Sequence, residues 1–251
     1  KILFSDIFDI DYFNSYMSKF TKNNSPIMAR KENIKKQNIK FENNLIHLWK
    51  YAEIKNKKEQ KIKSINTNAT KLHVLKALRL KPEYQEIVEK KTLNRPFTTL
   101  QVRTESDWVA YSSIKKTNTD GESILVNQNK ILNMLSEFNV LGELFFTSGE
   151  NHDIIAQDLE RIGLKSDYFF DATLEYEINA AINFEICCNA DAFIGLSRSS
   201  YSNLISLKRA ALLENDNSYI YNYNDVIIKR QDKGLFSDAK KSIECNVEIT
   251  T

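Results

Sequence analysis

Two short stretches of this chain carry residue types that suit binding an anion. The first is Arg103-Thr104-Glu105-Ser106-Asp107, where a guanidinium is followed by two carboxylates at the end of a β-prone stretch, Leu100-Gln101-Val102. The second is Ser197-Arg198-Ser199-Ser200-Tyr201-Ser202, which interrupts the apolar run Ala192-Phe193-Ile194-Gly195 before helical periodicity resumes. A strand that ends in hydroxyls just ahead of a helix puts free backbone N–H groups and the positive end of the helix dipole at one place, where they attract phosphate oxygens. The same serines would also serve as an ordinary helix cap. Arg103 has two readings as well: a planar fork for phosphate oxygens, or a strand-end residue paired with Glu105 or Asp107.

The other chemically capable residues form no constellation. His47, His73 and His152 stand in no recognisable pairing and read as surface or helix residues. Cys187 and Cys188 are adjacent within an apolar stretch and Cys245 lies near the end, a spacing that suits neither metal nor redox chemistry and reads as small buried hydrophobes. The 251 residues carry a formal net charge of +2, so bulk charge gives no reason to invoke a nucleic acid or an anionic membrane surface. The basic runs Lys35-Lys36 and Lys55 to Lys63 read as solvated faces or loops. No window approaches the roughly 18 consecutive apolar residues of a membrane span. No signal peptide is evident, and the chain starts at Lys1 rather than methionine, which leaves room for a segment removed before it. Location is accordingly open: cytoplasm in a bacterium, the secretory lumen in a eukaryote.

These residues must be positioned by larger elements. The opening KILFSDIFDIDYF spaces Phe and Ile for contact with something else, so its order must come from packing. Apolar residues recur at helical intervals over 44–50 and again over 70–79 (Leu72, Leu75, Leu78), and Pro82 suits the first turn of a helix over 83–91. From Phe97 the pattern changes to short apolar strands alternating with helices. Strands are expected at 97–102, 143–148, 168–170, 192–196 and 219–221, with helices at 124–138, 154–162, 175–189 and 200–214. That alternation predicts an α/β fold with a parallel sheet covered on both faces. Ligands of such sheets bind beyond the carboxyl ends of the strands, where both anion-suited stretches fall. The expected organisation is a helix-rich part over 1–95, a Rossmann-like part over 96–224 and a tail or arm over 225–251.

LQVRTESDWVAY (Leu100 to Tyr111) resembles the His-x-Arg-x-Glu-x-Asp-Met-x-Ala signature of the protein O-fucosyltransferase superfamily, plant type, and ADAFIGLSRSSYSNLISLKRA (Ala190 to Ala210) is similar to its Phe-Ile-Gly-x-x-x-Ser-Ser/Thr-Phe phosphate loop. SDIFDIDYF (Ser5 to Phe13) and KALRLKPEYQEI (Lys76 to Ile87) look like further family sequence, in the family's order. The resemblance implies a two-domain nucleotide-sugar glycosyltransferase fold of GT-B type. It implies inverting, metal-independent transfer of a deoxyhexose, fucose from GDP-fucose, to a hydroxyl of a glycan or protein. Arg103 would then be the catalytic cation on the leaving diphosphate, with Ser199, Ser200 and the backbone around Tyr201 holding the same group. Gln101 and Asn183 would complete the nucleotide-sugar site, and Glu105 and Asp107 would support Arg103. No metal, cofactor or nucleic acid is expected, and no residue stands out as the base that a hydroxyl acceptor needs.

Three departures qualify what the resemblance implies. Gln101 replaces the family's His. Asn183, sixteen positions before Ser199, replaces an aspartate that accepts hydrogen bonds from guanine; an amide offers an acceptor and a donor, a pattern that uracil also meets, so a UDP-sugar such as UDP-rhamnose is an alternative donor. The family's first glycine-rich, Asn/Arg-containing loop has no counterpart near the start of this chain. That leaves a trimmed N-terminal part, a loop supplied by another segment, or a non-catalytic binder of nucleotide sugar or glycan. Arg198 stands where relatives often carry an apolar or small residue, and it either extends the phosphate clamp or lies in solvent.

Overall fold

A computed structural model of the chain describes residues 2–19, 67–93 and 95–244. The expected helix at 44–50, the basic runs at 35–36 and 55–63, His47 and Cys245 lie outside the described residues. The chain forms two compact units that meet in sequence between Lys81 and Pro82.

In the first unit, α1 (Phe4–Ile7) and α2 (Ile10–Met17) occupy the opening segment, and α3 (Thr67–Ala77) follows. Asp9 caps α2 by accepting a hydrogen bond from Tyr12 N at 2.9 Å, which satisfies one of the four N–H groups a helix start leaves unpaired. The order of this segment does come from packing. Asp9 N donates to Arg79 O at 2.9 Å and Lys81 N to Ile7 O at 3.0 Å, so the turn between α1 and α2 is tied to the end of the unit. Ile7, Phe13, Leu72, Leu75 and Leu80 are buried. The Arg79 guanidinium lies 3.8 Å above the Tyr12 ring.

The second unit begins with α4 (Pro82–Thr92), with Pro82 at its first position, where the missing N–H costs nothing. It continues with β1 (Phe97–Gln101), α5 (Ser106–Ile114), α6 (Gln128–Glu137), β2 (Glu143–Thr147), α7 (His152–Arg161) and β3 (Ser166–Tyr168). Then come α8 (Tyr176–Asn189), β4 (Ala192–Gly195), α9 (Ser200–Leu212), β5 (Ser218–Tyr223), β6 (Val226–Lys229) and α10 (Ala239–Glu244). The six strands form one sheet in the order β3-β2-β1-β4-β5-β6. The first five are parallel and β6 is antiparallel at the edge. This is the α/β fold the alternation predicts. β1 and β4, covered on both faces, are buried throughout; β4 is apolar along its length, whereas β1 buries Thr98, Thr99 and Gln101 with their polar groups paired.

The chain runs outward from β1 to β3 and then returns to place β4 on the other side of β1, with Leu100 opposite Phe146 on one flank and Ile194 on the other. Connections therefore leave in opposite directions at the β1/β4 junction, and the loops beyond those strand ends part to open a crevice. A buried arginine ties α9 to the end of α8 and to the chain entering β4 and β5. Arg209 of α9 donates to the carbonyls of Cys187 at 3.2 Å and Cys188 at 3.1 Å, at the end of α8, and to Asp191 and Asn217 at 3.1 Å each. A cation at a helix C-terminus satisfies carbonyls that would otherwise be orphaned in the core. Cys187 and Cys188 are buried beside it, and burial pushes the Cys187 thiol up to about 12, which keeps it protonated and inert.

Three regions differ from expectation. α5 carries no helical stripe: Trp108 is buried, whereas Val109, Tyr111 and Ile114 around it are exposed, so periodicity gives no signal there. β3 runs over 166–168 rather than 168–170, because the chain leaves the sheet after Tyr168 and Phe170 turns into a ring stack with His152. Residues after 224, expected as a tail or arm, supply β6 and α10. There Asp232 is buried, its two oxygens held by Arg230 at 2.9 and 2.8 Å and by Ser242 Oγ at 2.7 Å.

Candidate active site

Beyond the ends of β1, β2 and β4 lies a cleft of about 260 Å³. It is lined by the expected residues Gln101, Arg103, Glu105, Asn183, Ser199, Ser200 and Tyr201. Asp107 does not line it. Arg198, Trp108, Thr147, His152, Phe170 and Tyr176 contribute to the wall as well.

On the β1 side, Arg103 follows the strand and is held by three groups. Its Nη1 lies 2.9 Å from Glu105 Oε2, its Nη2 lies 2.9 Å from Asp107 Oδ2, and its guanidinium sits 4.9 Å from the centre of the Trp108 ring. Burial works against the charge on Arg103, but Glu105 and Asp107 outweigh it and hold the pKa above its ordinary value. The two carboxylates differ in setting: the Glu105 side chain is 7% exposed and that of Asp107 69%. Glu105 Oε1 also accepts from Gly149 N at 2.7 Å, which fixes the loop after β2 to the loop after β1. Trp108, the anchor of α5, donates from Nε1 to Ile124 O at 2.9 Å, so the ring beneath Arg103 is fixed in turn.

On the β4 side, Ser199 is the N-cap of α9, its Oγ accepting from Ser202 N at 3.3 Å. Capping and cradling are compatible, because the cap satisfies the third N–H of the helix and leaves those of Ser200 and Tyr201 at its first turn. Gly195 has a steric reason to be glycine: a Cβ would collide with Ser202 Oγ and stand 2.8 Å from the Phe193 ring. Gln101 clasps strand to loop. Its Oε1 accepts from Ser202 Oγ, whose own oxygen accepts from Leu196 N at 3.1 Å, and its Nε2 donates to Ser199 Oγ at 3.4 Å. Tyr201 donates its hydroxyl to Ala180 O at 3.0 Å, and burial raises its pKa well above the usual phenol value.

Asn183, on the α8 wall, is 4% exposed. Its Nδ2 donates to Phe169 O at 3.0 Å and Asn179 O at 2.9 Å, which consumes both amide hydrogens and fixes the orientation of the group, since carbonyls only accept. Its Oδ1 is buried without a protein partner. A buried acceptor left unpaired costs free energy, so this oxygen is an unsatisfied group in the α8 wall. Asn179 nearby is fully paired, clamping the loop at Asp171 through Asp171 N and O at 2.9 Å each.

His152 opens α7 as a helix residue, yet it also forms part of the cleft wall, which its sequence setting did not reveal. Its ring stacks between Tyr168 (5.3 Å) and Phe170 (4.7 Å), and Nε2 lies 3.0 Å from Ser148 O. A carbonyl there requires the hydrogen on Nε2, so in the neutral ring Nδ1 is the acceptor. His73, in the first unit, meets Tyr16 Oη through Nδ1 at 3.4 Å. Among the described residues no group of three or more His, Cys, Asp or Glu is arranged to hold a metal ion.

Part of the chain is similar to proteins already known. A stretch of 133 residues is 24% identical to O-fucosyltransferase 23 of Arabidopsis thaliana, covering 45% of this chain and 29% of that protein. Over that stretch the sequence is similar to an O-fucosyltransferase. No protein-family model matches it. Among solved structures, POFUT1 in complex with GDP is similar with a TM-score of 0.43 and 17% identity over 58% of this chain and 49% of that one. POFUT1 in complex with GDP-fucose gives 0.42 and 19% over 58% and 48%. The chain thus spans less than a third of the curated relative and about half of these solved chains. Among the described residues, no helix is long and apolar enough to cross a membrane.

Proposed function

We propose that the cleft binds a nucleoside-diphosphate sugar and that this chain is the donor-binding part of an inverting, metal-independent glycosyltransferase, moving fucose from GDP-fucose to a hydroxyl of a glycan or protein. The observation that carries this reading is the convergence on one cleft of Arg103, the α9 start at Ser199–Tyr201, and the unpaired Asn183 Oδ1. The likeness to an O-fucosyltransferase supports it. Two cation-and-dipole surfaces would hold the diphosphate, and the buried acceptor would take a ring N–H of the base. As the glycosidic bond breaks, negative charge builds on the leaving diphosphate, and Arg103, already fixed by its carboxylates and by Trp108, meets that charge without reorganising. Glu105 and Asp107 hold the guanidinium; Gln101 holds the serine loop to β1.

Asn183 also bears on the base. With both amide hydrogens engaged by carbonyls, it only accepts, and guanine N1–H and uracil N3–H each supply one donor. A UDP-sugar therefore stands as the second reading. Thermal-shift measurements with GDP and UDP at equal concentration separate the two: larger stabilisation by GDP is expected, and equal or larger stabilisation by UDP would overturn the guanine assignment. Incubation with GDP-fucose and UDP-sugars then distinguishes a transferase from a binder, since stabilisation without transfer or hydrolysis is what a non-catalytic module would give.

A further inference from the structure

The cleft contains a second guanidinium whose setting differs from that of Arg103. Arg198 lies between the end of β4 and the α9 cap, and its Nε is held 3.2 Å from Glu122 Oε2. The Glu122 side chain is fully buried, whereas that of Arg198 is 26% exposed on the cleft wall. Glu122 accepts two further hydrogen bonds, from Ser197 Oγ at 2.6 Å and from Ala239 N at 3.0 Å. Ser197 is secured from the other side, its N donating to Asn222 Oδ1 at 3.1 Å and its Oγ accepting from Asn222 Nδ2 at 3.0 Å.

A carboxylate this deep requires a compensating charge, and Arg198 is the cation that meets it. Arg198 is therefore not free to swing into solvent. The contact uses Nε alone, and no acceptor among the described residues meets Nη1 or Nη2. By contrast, both terminal nitrogens of Arg103 already face carboxylates. A guanidinium anchored at Nε and open at its two terminal nitrogens presents a fixed pair of donors to an oxyanion, with its rotamer entropy largely spent before the ligand arrives.

We propose that Arg198 is a second diphosphate-binding arginine, and that Glu122 is the positioning residue that aims it. This rests on the reading of the cleft as a nucleoside-diphosphate site. The diphosphate would lie against the open Nη pair of Arg198 as well as against Arg103 and the α9 start. Glu122 joins that contact to the loop preceding α6 and to the first residue of α10.

The test is calorimetric titration of GDP, with guanosine as the uncharged control, into the whole chain and into Arg198→Gln, Glu122→Gln and the double variant. Gln at 122 keeps an oxygen for Ser197 and Ala239 while removing the charge that holds Arg198. Arg198→Gln should weaken GDP about tenfold, as expected for loss of a charge-assisted contact, and guanosine less than twofold. Glu122→Gln should weaken GDP about threefold, and the double variant should bind no more weakly than Arg198→Gln alone. Unfolding midpoints are read alongside, with Ser197→Ala as a second way to loosen the cluster without touching either charge. GDP binding by Arg198→Gln equal to that of the unaltered chain would overturn the proposal while leaving the cleft's assignment intact. A Glu122→Gln loss that persists in full in the Arg198→Gln background would show a scaffold role only, and would overturn the positioning claim. Absence of GDP and UDP binding by the unaltered chain would overturn the underlying reading instead.

Discussion

The two sides of the cleft hold their arginines differently. On the β1 side, Arg103 is met at both terminal nitrogens by carboxylates and covered on one face by Trp108. On the β4 side, Arg198 is held only at Nε, by a carboxylate withdrawn into the core, and its terminal nitrogens have no protein acceptor among the described residues. The first arrangement fixes a cation at the cost of sharing its hydrogen bonds; the second fixes a cation and leaves the donors free. The lesson is that a carboxylate beside an arginine is neither evidence for nor against anion binding. What decides is which nitrogens it occupies and how deeply it is buried.

This contrast can be broken by experiment. The largest effect is expected at Arg103, because charge builds on the diphosphate only as the bond breaks. Arg103→Ala should lower sugar transfer or donor hydrolysis about a hundredfold or more, the range seen when a preorganised donor to a developing anion is removed. Unchanged turnover would remove Arg103 from the mechanism. Next is the tenfold loss of GDP affinity at Arg198→Gln described above, and a loss of turnover there as large as that at Arg103 would erase the distinction between the two sides. Glu105→Gln should cost about threefold in GDP affinity, measured by calorimetry, because the amide still accepts from Gly149 N while the buried charge pairing of Arg103 is lost. The smallest effect is expected at Asp107, whose side chain is mostly exposed. Asp107→Asn should change GDP affinity by less than twofold, since exposed pairs contribute little; a larger loss would make the exposed carboxylate the true anchor.

Much of this was legible in the sequence, and the exceptions have physical causes. β2 and β4 and the helices from α6 to α9 announce themselves because strands inside the sheet carry apolar runs and the helices that cover it need an apolar face. α5 was hidden because it is anchored through Trp108 and exposes apolar residues on its other sides. Gln101, Arg103 and Ser199 to Tyr201 could be brought to one cleft by the strand-end rule, and Asn183 by its position in the family pattern that the sequence resembles. His152 and Phe170 could not, since their place in the wall depends on ring stacking between α7 and the chain after β3. Glu122 was invisible altogether: it sits in a polar loop seventy-six positions from Arg198, and only the fold brings the two together. The acceptor-only state of Asn183 was equally out of reach, because it follows from two backbone carbonyls of α8 and the strand-end chain that no side-chain motif records.

On the function proposed above, a nucleoside diphosphate lies in this cleft against Arg103 and the start of α9. The most direct measurement is calorimetric titration of GDP into the unaltered chain and into Arg103→Ala, with unfolding midpoints measured for both. The account predicts saturable binding to the unaltered chain, weakened at least tenfold in a variant that remains folded. Binding of equal strength in the two proteins, or none in the unaltered chain to GDP or UDP, would contradict it.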